Sequence, residues 1–371
     1  MTSTVAERAL SSVTRSPEQV LIVRLSALGD VLHCLPALEA LAELWPRAVF
    51  DWVSEPLGAS LLQGHPGLDR VVVFPRKEIQ RRLRRPSQWG AAGASLRGFR
   101  RELRVKRYDL IVDFQSNLRS RVVCGLARKA RVASHHPKEA YELPWLSRSL
   151  HPAQPAGRVH RVEKYLHLVR ALGWTGGPHE GRLPDLTRER AELGFAVGSA
   201  PSPISRIVLQ PFVSAFGRFK EWPGSFFVEL ATRLARSGRE ILVGWGPDEE
   251  SRAQTIVEAT QGAARLAPRT PTARHLAAFL STAQVVVAAD TGPLHLAVAA
   301  GVPVVGLYGP KDPTVYGPYS EFSRVVRSAV PCAPCILRSC AHAICMQTIA
   351  PSTVAARVEE LLDALASRPS S

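Results

Sequence analysis

Short, unbroken apolar runs alternate with amphipathic stretches along most of the chain. Val20 to Leu25, Val49 to Val53, Val71 to Phe74 and Leu110 to Phe114 are apolar at nearly every position. Such runs suit strands covered on both faces, as in a parallel sheet. Between them, apolar residues recur at three- and four-residue spacing, which predicts helices over Val31 to Leu44 and Arg158 to Leu172. A second series starts with a strand at Ile207 to Leu209 and a helix from about Ser225 to Ser237. It continues with a strand at Glu240 to Val243, a helix from about Asp248 to Thr260 and a strand at Gln284 to Ala289. A helix near Leu294 to Ala300 and a strand at Pro303 to Leu307 complete it. Gly and Pro become frequent from Gly173 to Pro203, which reads as a connector carrying one short helix near Arg188 to Leu193. Thr353 to Leu365 predicts a closing helix, and the ends before Ser16 and after Ser367 read as frayed.

The expected fold class is therefore α/β, with two Rossmann-like units in tandem. Residues 18–175 form the first unit, 176–205 the connector, 206–348 the second unit and 349–366 the final helix. Such sheets take ligands at the carboxyl ends of their strands, and two of them predict a cleft where those ends face each other. Composition agrees: of 371 residues 46% are hydrophobic and 21% charged, which excludes disorder, collagen and coiled coil. No run of 18 apolar residues is present, and the first residues lack the apolar stretch of a signal peptide. Both point to the cytoplasm.

Charge narrows the choice of partner. Lys plus Arg is 47 against 32 Asp plus Glu, a net charge of +15, which favours anionic partners. Twelve of those cations fall between Arg76 and Arg107, where only Glu78 and Glu102 oppose them. Arg97, Arg100, Arg101 and Arg104 follow the i, i+3, i+4, i+7 rule, so a helix there carries one cationic face. The stretch holds only Trp89 and Phe99 as aromatics, whereas modules that grip nucleic acid interleave aromatics for stacking. An anion-binding surface without nucleic acid is the expectation.

Four loops at the ends of predicted strands carry candidate chemistry. In Asp290-Thr291-Gly292-Pro293-Leu294-His295, Gly292 allows close backbone approach and the first N–H groups of the following helix attract phosphate. His295 lies within reach of the same anion. The plain alternative is an Asp290 cap with a packed histidine. The loop from Pro211 to Pro223 offers Ser214 as a donor and Lys220 just before a helix start, where a cation makes sense if a phosphate sits there. The acids of Trp245 to Glu250 either cap a helix or accept hydrogen bonds from a ribose diol. Asp30, in Leu25 to Asp30, is either the N-cap of a helix starting at Val31 or a general base, with His33 one turn further on.

Together these residues resemble a known family. LIVRLSALGDVLHCLPAL at Leu21 to Leu38, FDWVSE at Phe50 to Glu55, YDLIVDFQSNLRS at Tyr108 to Ser120 and FKEWP at Phe219 to Pro223 are similar to motifs of glycosyltransferase family 9. So are WGPDEE at Trp245 to Glu250 and DTGPLHLAVAAGVPVVGLYGPKDP at Asp290 to Pro313. The similarity runs in order over about Val20 to Leu362, and the start and basic stretch resemble heptosyltransferase I more than heptosyltransferase II. The resemblance implies a GT-B fold with parallel sheets facing across a cleft, the acceptor on the N-terminal side and the nucleotide sugar on the C-terminal side. Asp30 then matches the catalytic base, Lys220 the pyrophosphate-contacting lysine and Glu249 the nucleoside-contacting acid. Asp290, Thr291, Gly292 and His295 match the donor-diphosphate and sugar loop, and Ser214 stands where a threonine is usual, in a slightly longer loop.

The implied reaction moves heptose from ADP-heptose to the Kdo-lipid A inner core with inversion, without metal or cofactor. Arg97, Arg100, Arg101, Arg104 and Arg119 are the expected acceptor contacts, on a surface that also meets the anionic inner face of the inner membrane. Another nucleotide sugar is the alternative donor.

Six cysteines are present. Cys34 and Cys124 read as buried small residues. Cys332, Cys335, Cys340 and Cys345 form C-x-x-C-x4-C-x4-C, a clustering that in a cytoplasmic protein suggests metal before disulfide. The spacing equals that of a retroviral-type zinc knuckle with cysteine at the histidine position, but the usual glycines are missing. A metal-free structural turn remains open, and no residue is assigned here as a metal ligand. A basic, zinc-knuckle nucleic-acid binder is the remote alternative.

Overall fold

The computed structural model describes residues 16–128, 130–135, 152, 157–195, 205–335, 337 and 339–367. The apolar runs become the strands of two wholly parallel sheets. In the first, β1 (Gln19–Val23), β2 (Val49–Ser54), β3 (Arg70–Val73), β4 (Leu110–Asp113) and β5 (Arg131–Ser134) lie in the order β3-β2-β1-β4-β5. Val23 of β1 stands opposite Val53 on one side and Asp113 on the other. Val20, Leu21, Ile22 and Val23 are fully buried, because helices cover both faces. These are α1 (Leu28–Leu32), α2 (Leu35–Leu44), α3 (Pro56–Leu62), α4 (Arg76–Leu83), α5 (Trp89–Leu103), α6 (Leu118–Leu126) and α7 (Arg161–Ala171).

The second sheet holds β6 (Arg206–Gln210), β7 (Glu240–Val243), β8 (Arg265–Leu266), β9 (Val285–Ala289), β10 (Val304–Tyr308) and β11 (Ser323–Arg327), in the order β11-β10-β9-β6-β7-β8. Its helices are α8 (Thr187–Glu192), α9 (Gly224–Ala235), α10 (Glu250–Ala259), α11 (Ala273–Leu280), α12 (Gly292–Ala299), α13 (Pro313–Tyr316), α14 (Ile344–Gln347) and α15 (Pro351–Ala366). The chain divides into two compact units, Met1–Asp185 and Leu186–Ser371. Glu189 of α8 is ion-paired with Arg274 of α11, and Val354, Val358 and Leu361 of α15 enter the core of Ile207, Leu209 and Val285. The short connector helix and the closing helix therefore both belong to the second unit. Part of the expected connector, 196–204, and the expected frayed ends fall outside the described residues.

Both sheets share one consequence of chain order. From β1 the chain moves outward through β2 and β3, then crosses back to β4. From β6 it moves through β7 and β8, then crosses back to β9. Where the order reverses, the loops after the two central strands part and leave a crevice, the usual ligand position in this architecture. The loops after β1 and β6, and after β4 and β9, carry Asp30, Ser214, Lys220, Arg119 and the Asp290 loop, while Glu249 follows β7 and the cationic helix follows β3.

Several local expectations change. The single helix over Val31 to Leu44 is two helices, α1 and α2, separated at His33 and Cys34, because Pro36 near the start of α2 has no N–H to continue the ladder. The helix expected from Asp248 begins at Glu250, since Asp248 adopts φ +63°. Strands β5, β8 and β11 had no clear apolar signature: β8 is two residues long and β11 is only partly buried.

Candidate active site

At the first crevice the strand β1 runs directly into Arg24, and six residues later the chain presents Asp30. Arg24 is buried, and its guanidinium bridges two groups. Nη1 donates to the Phe114 carbonyl at 3.0 Å, and Nη2 lies 2.6 Å from Asp30 Oδ2. Burial opposes the charge on Arg24, but Tyr165 and Asp30 outweigh it and hold the guanidinium above its ordinary proton affinity. Tyr165, from α7, reaches Asp30 Oδ1 with its hydroxyl at 3.4 Å, and Arg161 Nε lies 3.9 Å from the same oxygen. The Asp30 side chain keeps 27% of its surface exposed.

Asp30 is not the first cap of a helix starting at Val31. The helix begins at Leu28, Asp30 is its third residue, and the carboxylate accepts only a long bond, 3.4 Å, from the Ala27 N–H. A buried cation at 2.6 Å is the stronger partner. His33 is buried and stacks edge-on with His160, 5.7 Å between ring centres.

The loop after β4 holds the Asp30 loop in place. Gln115 Oε1 accepts from the Leu25 N–H at 2.8 Å and the Ser26 N–H at 3.3 Å. Asp113, fully enclosed, accepts from the Gln115 and Ser116 N–H groups and from Ser120 Oγ, at 3.0, 2.9 and 2.8 Å. Burial pushes its carboxyl up despite these donors. Asn117 caps α6 through the N–H groups of Arg119 and Ser120, which leaves the Arg119 side chain exposed one residue into the helix.

At the second crevice Lys220 ends the 3-10 turn Ala215–Lys220 after β6. Its Nζ donates to the Asp290 carbonyl at 2.6 Å and to Asp290 Oδ2 at 3.0 Å, while His295 Nε2 lies 3.4 Å from Oδ1. Burial acts to raise the Asp290 carboxyl, but His295 and Lys220 prevail and hold it below the ordinary carboxylate range. Asp290 does not cap the following helix. Thr291 occupies the N-cap position without a side-chain cap, its hydroxyl donating instead to the Ala289 carbonyl at 3.1 Å. α12 starts at Gly292 rather than Leu294, and its opening N–H groups are left to other partners. His295 is buried in its first turn.

Beside β7, Glu249 is the N-cap residue of α10, with its carboxylate turned back to accept from the Gly246 N–H at 2.8 Å. Burial pushes this carboxyl up. A Cβ at position 246 would approach Glu249 Oε2 to 2.9 Å, so a side chain there would displace that carboxylate. Ser214 is exposed and precedes the 3-10 turn.

The basic surface is narrower than the sequence count. Arg76 pairs with Glu55, Arg82 with Glu78 at 2.9 Å, and Lys106 with Asp51 and Asp69 at 2.9 and 2.6 Å. Glu55, Asp51 and Asp69 lie outside the basic stretch, so local counting missed them. Arg97, Arg100 and Arg101 are exposed on α5, whose opposite side buries Ala92, Phe99 and Leu103. Arg104 leaves this face: it is the C-cap, half-buried, and its Nε donates to the Leu126 carbonyl at 2.7 Å. Exposed Leu83 and Trp89 stand at the turn between α4 and α5. Among the described residues no helix is long and apolar enough to cross a membrane.

Sequence reasoning named Asp30, Lys220, Asp290 and His295 but not Arg24, Gln115 or Tyr165. Arg24 left a signal, an arginine closing an apolar strand that must bury its charge. Tyr165, 135 residues from Asp30 in the chain, left none.

Comparison with known proteins agrees with this fold. The profile described as "Glycosyltransferase family 9 (heptosyltransferase)" matches residues 96–344. Lipopolysaccharide heptosyltransferase 1 of Pseudomonas aeruginosa is 32% identical over 367 residues, covering 93% of this chain and 98% of its own length. The Escherichia coli protein of the same name is 29% identical over 317 residues, 84% of this chain and 93% of its own. The solved structure of E. coli heptosyltransferase WaaC with ADP has a TM-score of 0.76 at 27% identity, covering 92% of this chain and 99% of that one. The two doubly wound units are those of the GT-B fold, shared with the solved E. coli heptosyltransferase II at a TM-score of 0.72. The chain belongs to glycosyltransferase family 9, the heptosyltransferases.

Proposed function

We propose that the protein is an inverting glycosyltransferase that moves heptose from ADP-heptose to the Kdo-bearing inner core of lipid A in lipopolysaccharide biosynthesis. The observation that carries this reading is the Lys220–Asp290 pair beside the open start of α12, in a chain 32% identical to a heptosyltransferase 1.

The reaction forms a bond from an acceptor oxygen to the anomeric carbon while the bond to the diphosphate breaks. Positive charge grows on the sugar and negative charge on the leaving diphosphate. In our reading Lys220 and the N–H groups near Thr291 and Gly292 stabilise that leaving charge, as preorganised donors that need no rearrangement during the reaction. His295 contacts the same diphosphate and sugar region, Glu249 accepts from the nucleoside and Ser214 adds a hydroxyl donor. Asp30 takes the proton from the acceptor hydroxyl, with Arg24 behind it fixing its orientation.

Acceptor recognition falls to the first unit. Arg97, Arg100, Arg101 and Arg119 are exposed guanidinium groups suited to bidentate pairing with the phosphates and Kdo carboxylates of the acceptor. Arg104 supports the end of α5 and adds its charge from the side. The same surface, with Trp89 and Leu83 beside it, would hold the enzyme against the anionic cytoplasmic face of the inner membrane, at about 1 kcal/mol per basic residue near the lipid.

A donor screen by mass spectrometry, with a Kdo–lipid A acceptor, tests the reading. Heptosylated product from ADP-heptose is expected. Product from a UDP-hexose, with none from ADP-heptose, would replace the donor and leave the family intact.

A further inference from the structure

The buried residues of α7 are Val162, Tyr165, Leu166, Leu168 and Val169. Tyr165 alone among them carries a polar side-chain atom. A phenylalanine would fill nearly the same space, whereas a buried tyrosine hydroxyl needs a hydrogen-bond partner. That partner is Asp30 Oδ1, at 3.4 Å and 135 residues away in the chain.

The ring is held independently of the hydroxyl. Phe114 meets it edge-on with ring centres 5.6 Å apart, and His135 packs beside it at 5.7 Å. The guanidinium carbon of Arg24 lies over the ring, 5.5 Å from its centre, where the electron-rich face attracts a cation. Tyr165 therefore touches both members of the Arg24–Asp30 pair, the cation with its ring and the anion with its hydroxyl. Burial pushes this hydroxyl well up from its ordinary titration, so it stays a donor. Burial also pushes the neighbouring Cys34 thiol up and the His135 imidazole down, so both stay neutral beside the pair.

We infer that Tyr165 is a positioning residue for Asp30, setting the angle at which the carboxylate meets the acceptor hydroxyl. This rests on the reading of Asp30 as the base. Arg24 at 2.6 Å anchors Oδ2, and the Tyr165 hydroxyl anchors Oδ1. One anchor leaves the carboxylate free to turn about its Cβ–Cγ bond, and two anchors stop that turn. Hydrogen bonds around a catalytic group are often long before substrate binds and tighten with it. When the acceptor proton passes to Asp30, the negative charge beside Arg24 disappears. The Tyr165 face and the Phe114 carbonyl, which accepts from Arg24 Nη1 at 3.0 Å, then keep the buried guanidinium in place.

Steady-state kinetics of the full-length protein with ADP-heptose and a Kdo–lipid A acceptor test this. Tyr165→Phe keeps the ring and its neighbours and removes only the hydroxyl. Its kcat should fall about 10-fold, with both KM values and the melting temperature close to wild type. In an Asp30→Asn background the same substitution should cost nothing further, because a residue that acts through Asp30 has no effect once the base is gone. Tyr108→Phe is the control for a purely structural hydroxyl. Tyr108 also donates to a buried aspartate, Asp51 Oδ2 at 2.7 Å, but it precedes β4, at the end of the strand away from the Asp30 loop. That variant should melt lower and keep its kcat. Wild-type kcat in Tyr165→Phe beside a slow Asp30→Asn overturns the inference and leaves the base in place. An equal loss from Tyr165→Phe with and without Asp30 also overturns it, since the hydroxyl then acts by another route. Wild-type turnover in Asp30→Asn removes the base itself, and the role of Tyr165 with it.

Discussion

Each unit places an aspartate held by a cation beyond the end of a central strand, yet Asp30 and Asp290 are left in different circumstances. Asp30 has Arg24 at 2.6 Å on one oxygen and only long contacts on the other, with 27% of its side chain exposed. Asp290 is 13% exposed, and its two oxygens face Lys220 at 3.0 Å and His295 at 3.4 Å. A carboxylate with an open edge can accept a proton from a substrate. One enclosed by two basic side chains holds those side chains in place instead. Under the proposed function, the aspartate of the Asp290 loop works through Lys220, while the aspartate of the first unit meets the substrate directly.

The largest effect that would break this contrast is at Asp30. Asp30→Asn keeps the shape and a hydrogen-bond acceptor but removes the base, so kcat should fall on the order of 100-fold or more. The donor KM should hardly move. If turnover survives in steady-state assays while the melting temperature drops, Asp30 serves the fold and not the chemistry.

Next comes Lys220→Met, which removes the cation Asp290 positions. Hydrogen bonds to charged groups contribute about 1.5–3 kcal/mol, so ADP affinity by calorimetry and donor KM should weaken roughly 10- to 100-fold. The acceptor KM should stay constant. Equal weakening for both substrates would remove the division of labour between the two units.

Asp290→Asn sharpens the contrast through stability. The folded carboxyl lies below its ordinary range, so its stabilising contribution is complete above the unfolded value of about 3.9. That contribution is lost as pH falls through the lower folded value. The variant should therefore melt several degrees below wild type at neutral pH, at roughly 2–4 °C per kcal/mol for a unit of this size. The gap should close as the pH falls below about 4. A gap independent of pH would mean that packing, not the charge pair, holds Asp290.

Reversing Arg97, Arg100 and Arg101 to Glu carries the smallest expected effect per residue, since exposed ion pairs contribute about 0.2–1 kcal/mol each. The acceptor KM should rise several-fold and vesicle binding should weaken, with the donor KM unchanged. Added salt should reproduce the change, because exposed charges are screened beyond about 8 Å at physiological ionic strength. Loss of donor binding with normal acceptor kinetics would reverse the assignment of the units.

Much of the fold was readable because its central strands are buried on both faces. Runs such as Val20 to Val23 and Val285 to Ala289 have no polar positions to confuse the pattern. Strands at the sheet edges were not readable, since β8 and β11 are short or half-exposed and lack a continuous apolar run. Asp30, Lys220 and the Asp290 loop were found from residue type at a strand end. Several of their partners lie far away in sequence: Lys220 is 70 residues from Asp290, and Tyr165 is 135 from Asp30.

The sequence by itself determined the parallel α/β architecture, the loops that carry chemistry, the cationic helix face and the family resemblance. All of these depend on local order or on motifs that occur together. Only the tertiary structure decided which cation each aspartate faces, which arginines of the basic stretch are neutralised, and that Arg104 belongs to a helix end. The Lys220–Asp290 pair, and the grip of Gln115 on the Asp30 loop, depend on reversal of strand order, which brings β6 beside β9 and β1 beside β4. Charges and hydrogen bonds act over a few ångströms of space, and the chain's linear order does not record which distant segments that reversal makes neighbours.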